Sequence, residues 1–127
     1  MIYNYKKKTP VFINYIKKVS KIIYPSRDFV DIRDLNKLIL KIIKSLKKFN
    51  NHKVYNVGSG KSVKLNKILK IFKNSVNFKV KTVYKEIYKN EYINTKSSIE
   101  KVKKDYKWRP VINIKSSIDS YKNKLII

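Results

Sequence analysis

Glycine occupies only two of 127 positions, Gly58 and Gly60. It is the one residue that enters left-handed or crowded backbone at no steric cost. A chain with both glycines in a single turn has few flexible linkers and must build its other turns from Pro, Asn and Ser. The turn is framed on both sides. Lys53–Val57, KVYNV, reads as a short strand, and Leu65, Ile68, Leu69 and Phe72 recur after it at helical spacing. Gly58–Gly60 is thus a tight strand-to-helix turn. The run GSGKS, Gly58 to Ser62, lacks the upstream glycine and full spacing of a P-loop, so its reading is structural.

The remaining pattern gives more elements. Thr9-Pro10 has the hydroxyl cap and first-position proline of a helix start, and Phe12, Ile16, Val19 and Ile23 follow at helical spacing up to Pro25. RDFVDI, Arg27 to Ile32, is a short extended stretch. Asp31 or Asp34 then caps a helix carrying Leu35, Leu38, Ile39, Ile42, Ile43 and Leu46, expected on one stripe with Leu40 apart, and Lys37, Lys41, Lys44 and Lys48 opposite. Asn50-Asn51 is a turn. Phe78, Val80, Thr82 and Tyr84 alternate as in a strand, and 85–96 is a polar loop. Ser97 and Glu100 have capping-box spacing before Ile99, Val102 and Tyr106, and Trp108-Arg109-Pro110 stops that helix. Ile114, Ile118, Tyr121 and Leu125 mark a last amphipathic helix. The order is that of a small α/β layer structure.

Composition removes several function classes. There is no cysteine, hence no disulfide, thiolate zinc site or cysteine nucleophile, and His52 alone builds neither a His-rich metal site nor a His-paired catalytic set. No apolar run approaches the roughly 18 residues of a membrane span. MIYNYKKKTP is not a secretory signal, so a cytoplasmic location is expected. The net charge is +24, but the cations are spread along the whole chain and only Arg27, Arg33 and Arg109 are arginines. Ala and Gln are missing altogether, and Lys, Ile, Asn and Tyr, whose codons are mostly A and T, make up more than half the chain. An AT-rich genome accounts for this lysine-rich surface. Nonspecific, salt-sensitive polyanion binding is expected from the charge alone.

Three stretches in order carry a resemblance: RDFVDIRDL from Arg27, YNVGSG from Tyr55, and SSIEKVKKDYKWRP ending at Pro110. Together they resemble the C-terminal part of the extended short-chain dehydrogenase/reductases, the NAD-dependent nucleotide-sugar epimerases and dehydratases. The likeness covers about residues 9–122. It implies one α/β subdomain over 1–127, the substrate-binding part, with short strands and about five helices, the Rossmann domain being absent. NAD and the Tyr-x-x-x-Lys pair belong to that absent half. No G-x-x-G-x-x-G loop exists here, and Tyr3 to Lys7 is a chance match in a Tyr- and Lys-rich chain. The resemblance therefore implies a truncated or split, nucleotide-sugar-binding fragment that is not catalytic alone; if it is split, its partner is a separate Rossmann-domain polypeptide. The rival reading is a small cationic nucleic-acid-binding protein using lysines and ten tyrosines. A third is a chain inactive alone, its apolar faces made for an absent partner.

By the same resemblance Arg27 pairs with the substrate diphosphate, which a guanidinium fork suits; the plainer reading is a surface arginine beside Asp28. Asn4, Tyr24 and Glu91 are further candidate substrate contacts. Glu91 stands where the family often has the Asp of an Arg-Pro-Gly-Asp turn, without the Arg. No catalytic residue and no metal ligand is expected. Trp108 reads as a core anchor, Asp34 as a helix cap, and His52 as a turn residue. The chain also departs from the family pattern. Lys64 and Lys67 replace the Ser/Thr and Glu that cap the helix after GSG, a loss of about 1 kcal/mol unless Ser62 caps instead. Tyr106-Lys107 replaces the Leu-Gly before Trp108.

Overall fold

The computed structural model describes residues 10–45, 52–76, 79–87 and 92–122. Val11–Lys18 (β1) and Lys21–Ile23 (β2) form an antiparallel hairpin with Lys18 opposite Lys21. Thr82–Glu86 (β5) lies parallel to β1 on the other side, with Val11 opposite Thr82, so the sheet order is β2-β1-β5. Ser26–Asp28 (β3) and Ser62–Lys64 (β4) make a separate antiparallel pair with Arg27 opposite Val63. The helices are Ile32–Ser45 (α1), Leu65–Ser75 (α2), Glu100–Tyr106 (α3) and Ile114–Lys122 (α4). Four helices are thus present among the described residues, where about five were expected.

The segment expected as a helix from Thr9-Pro10 is the β1–β2 hairpin. Thr9 itself lies outside the described residues, as do Leu46, Lys48, Asn50-Asn51, Phe78 and Leu125. The supposed helical stripe does not share a face: Ile16 is buried, whereas Phe12 and Val19 are exposed. Val11 and Ile13 point inward two residues apart and pack on Leu69 of α2, with Tyr24 and Val80 against them. Runs rich in β-branched and aromatic residues suit a pleated, half-buried surface, and here the β5 ladder is available to pair with.

α2 joins two regions, because Leu69 faces β1 while Phe72 packs with Val76, Val80 and Ile118 of α4. A further cluster holds Leu38 of α1, Val102 of α3 and Trp108, flanked by Val30, Ile42, Tyr55, Val57, Ile99 and Tyr106. The Trp108 indole N–H donates to the Asp34 carbonyl at 3.0 Å, so its buried polar atom is satisfied.

Capping follows one of the expected alternatives at α1 and the expected loss at α2, and differs at α3. Asp31 is the α1 cap, its Oδ1 accepting from the Arg33 amide at 2.8 Å. Asp34, one turn in, is no cap; it is buried, and its Oδ2 accepts from the Val111 and Ile112 amides, both at 2.8 Å. α2 starts after Lys64 with no side-chain cap, since Ser62 is in β4 and donates to the Ser26 hydroxyl instead. The Ser97–Glu100 capping box is not formed: Ile99 holds the cap position, and the Ser97 hydroxyl donates to the Val57 carbonyl. The polar loop expected at 85–96 gives its first two residues to β5, and Asn94 bridges to Ser26 in parallel. Lys53–Val57, expected as a strand, makes no ladder among the described residues.

Candidate functional site

Asp28, at the end of β3, organises the ground around Arg27. Its Oδ1 accepts from the Ser59 amide at 2.7 Å and the Ser59 hydroxyl at 2.5 Å. Its Oδ2 accepts from the Gly60 and Ser97 amides, both at 3.0 Å. One carboxylate thus ties the Gly-Ser-Gly turn and the chain before α3 to β3. Burial pushes this carboxyl up, but the bonds from Ser59, Ser97 and Gly60 outweigh it and hold it below its ordinary value. The glycines fit this packing. A Cβ on Gly58 would sit 2.5 Å from the Ser97 hydroxyl and 2.7 Å from Asp28 Oδ2, and Gly60 has a left-handed φ of +70°.

Arg27 lies one residue earlier. Its Nη1 donates to the Ser26 carbonyl at 2.9 Å and the Tyr92 carbonyl at 2.8 Å. The 92–95 segment is held on β3 by bonds from the Ser26 amide to Ile93, from the Thr95 amide to Ser26, and from the Ser26 hydroxyl to Asn94. The guanidinium is therefore positioned by two chain segments distant in sequence, a pre-organised fork of the kind that suits an anionic oxygen.

Of the other expected contacts, only Tyr24 lies among the described residues. Tyr24 packs on the Val11–Ile13–Leu69 cluster and sets its ring edge-on to Tyr84 at 6.2 Å, so its ring serves the core. Asn4 and Glu91 lie outside the described residues. Asp28 itself was not singled out as a site organiser, and its signal, an acid beside a lone arginine before a glycine turn, is faint.

Two cavities flank the Gly-Ser-Gly turn. One, of about 350 Å³, is lined by Ser59, Gly60, Lys61, Lys96, Ser97 and Ser98 among others. The second, of about 220 Å³, includes Phe29, Val63, Val111 and Ile112. Arg27 lines neither. The turn does not fit a dinucleotide. Phosphate cradles work through free backbone N–H groups, and the Ser59 and Gly60 amides are both committed to Asp28. Gly58 is packed solid against Ser97. The same bonds dispose of a phosphate-cradle reading of GSGKS. Among the described residues no cluster of three His, Cys, Asp or Glu could hold a metal, and no helix is long and apolar enough to cross a membrane.

A crystal structure of UDP-glucose 4-epimerase superposes with a TM-score of 0.81 over 96% of this chain, at 17% identity. This fold is shared with UDP-glucose 4-epimerase. The Thermotoga maritima enzyme of that name, solved with UDP-glucose, matches at 0.74 over 99% of this chain with 19% identity. ADP-L-glycero-D-manno-heptose-6-epimerase from Helicobacter pylori matches at 0.71 over 98% with 22% identity. At these identities the likeness is one of fold. The chain spans only 37%, 38% and 35% of those three proteins, respectively. No protein-family model and no curated protein matches the sequence.

Proposed function

We propose that this chain is the nucleotide-sugar-binding part, the C-terminal portion, of an NAD-dependent epimerase or dehydratase. NAD and the catalytic Tyr-x-x-x-Lys pair belong to a Rossmann domain outside these 127 residues. The observation that carries the reading is the fold match over nearly the whole chain to enzymes solved with nucleotide-sugars such as UDP-glucose and UDP-glucuronic acid. The position of Arg27 supports it, because a rare arginine fixed by two carbonyls is the residue type whose guanidinium fork suits a diphosphate. The spent amides of the glycine turn support an outside source for NAD.

The test is titration calorimetry of UDP-glucose into the full chain. Binding is expected, and Arg27→Ala should weaken it by about 10- to 100-fold, the usual worth of a charge-assisted hydrogen-bond pair. Absence of binding, or an unchanged affinity in the variant, would reject the reading. Turnover by this chain with NAD alone would reject the division of labour.

A further inference from the structure

Arg27 is held by two carbonyls, those of Ser26 and Tyr92. The first comes with the backbone of β3. The second has to be brought there, because Tyr92 lies 65 residues along the chain. Whatever fixes the 92–95 segment therefore fixes the guanidinium. We propose that Ser26 is the positioning residue for Arg27, acting through a hydroxyl relay that runs from Ser62 through Ser26 to Asn94. The proposal deepens the diphosphate role given to Arg27 above and rests on that reading.

Both backbone bonds described between β3 and this segment use Ser26. Its amide donates to the Ile93 carbonyl at 2.8 Å, and its carbonyl accepts from the Thr95 amide at 3.2 Å. The pairing is a single parallel bridge, with Ser26 opposite Asn94. Two bonds to one residue make a hinge. They fix the spacing of the two chains and leave the tilt of the segment poorly set. The same Ser26 carbonyl also accepts from Arg27 Nη1 at 2.9 Å, so both of its lone pairs are in use.

The side chains supply the third attachment. Ser26 Oγ donates to Asn94 Oδ1 at 2.5 Å and accepts from the Ser62 hydroxyl at 2.7 Å. A hydroxyl has one proton to give, so the relay runs in one direction only. Because Ser62 belongs to β4, the relay ties the segment to a second strand and takes up the freedom of the hinge. Ser26 is only 6% exposed. A bond with a buried end competes poorly with water when broken, since the group left behind is unsatisfied. The members stand 36 and 68 residues from Ser26, which is why no local pattern marks them.

Asn94→Ala tests this from an exposed position. It removes the acceptor and leaves Arg27 and both backbone bonds of Ser26 in place. With only three arginines in the chain, each side-chain Nε–H signal can be assigned by NMR. The order parameter of Arg27 Nε should be near the rigid value of about 0.85 in the parent, and below about 0.6 in Asn94→Ala and Ser26→Ala. Arg33, paired with Asp31 at 2.8 Å, is the internal reference and should not change. A mobile Arg27 in the parent, or an unchanged Arg27 in either variant, would overturn the proposal. So would an equal fall at Arg33, because the relay would then serve the fold as a whole. UDP-glucose affinity gives a second readout. Asn94→Ala should weaken it by about 3- to 10-fold, the net worth of a neutral hydrogen bond, and by nothing further once Arg27→Ala is present. No loss in the parent, or the same loss in both backgrounds, would equally overturn it. If the parent binds no UDP-glucose, the proposed function falls, and the order parameters still decide whether Ser26 positions Arg27.

Discussion

Among the described residues, two that are not glycine hold left-handed backbone: Val19 at φ 47° in the β1–β2 turn and Lys107 at φ 48° after α3. That conformation crowds a Cβ against the backbone, and a β-branched residue suffers most. A helix ends most cheaply there with glycine. Lys107→Gly should therefore raise stability by about 0.5–1 kcal/mol, the relief being offset in part by a freer unfolded chain. Val19→Gly should gain at least as much. Urea midpoints decide it, and a fall in either variant would show that the present side chain makes contacts worth more than the strain. The Lys107 position was legible in the sequence, because a lysine stood where the resembling family places glycine. Asp28 was not. Its partners lie 31, 32 and 69 residues away, and no local pattern announces that a carboxylate will gather three amides from such distances.

At the scale of elements, the helices with long apolar periodicity were readable and the short apolar runs were not. Leu65, Ile68, Leu69 and Phe72 marked α2, because four inward positions over two turns leave little choice. The run from Val11 to Ile23 satisfied both a helical and an extended pattern, and only the β5 ladder decided between them. Lys53–Val57 failed in the opposite sense: its residues favour a strand, but a strand exists only when something pairs with it. The α1 pattern hid a further distinction, since Leu38 is 1% exposed while Ile39 and Ile43, read on the same stripe, face outward. The missing cap of α2 was anticipated and has a measurable cost. Lys64 has extended cap geometry but no side-chain bond to the first turn, and Lys67 puts a cation near the positive helix end. Lys64→Ser should stabilise the fold by about 1 kcal/mol, and adding Lys67→Glu should extend the gain by completing a capping box. Thermal melts of both variants check this. A single variant no more stable than the parent would mean that the cap position cannot present a hydroxyl to the α2 amides.

For the whole molecule, the imbalance of charge sets how stability responds to pH and salt. Only eight residues are acidic, and all five aspartates accept hydrogen bonds inside the fold. The Arg33 guanidinium holds Asp31 far below the usual carboxylate range, against the effect of its burial. The Tyr55 hydroxyl, at 2.7 Å, likewise lowers Asp105, and Asp28 is lowered by its own network. A carboxyl whose folded pKa lies below its unfolded value of about 3.9 contributes stability that is present above that pH. The contribution is lost as pH falls through the folded values. Stability should therefore decline below about pH 4. Charge repulsion predicts a decline too, since protonating eight acids adds eight charges to a net of +24. Salt separates the two causes. Raising it from 0.1 to 1 M shortens the Debye length from about 10 to about 3 Å and should suppress long-range repulsion among exposed lysines. It does not restore a hydrogen bond whose acceptor has been protonated. Urea midpoints at pH 7 should thus rise with salt, and at pH 3 should rise yet stay below the pH 7 value in 1 M salt. If 1 M salt erased the difference, the aspartate network would contribute nothing beyond its charge, and the carboxylates around Arg27 and α1 would be incidental to the fold.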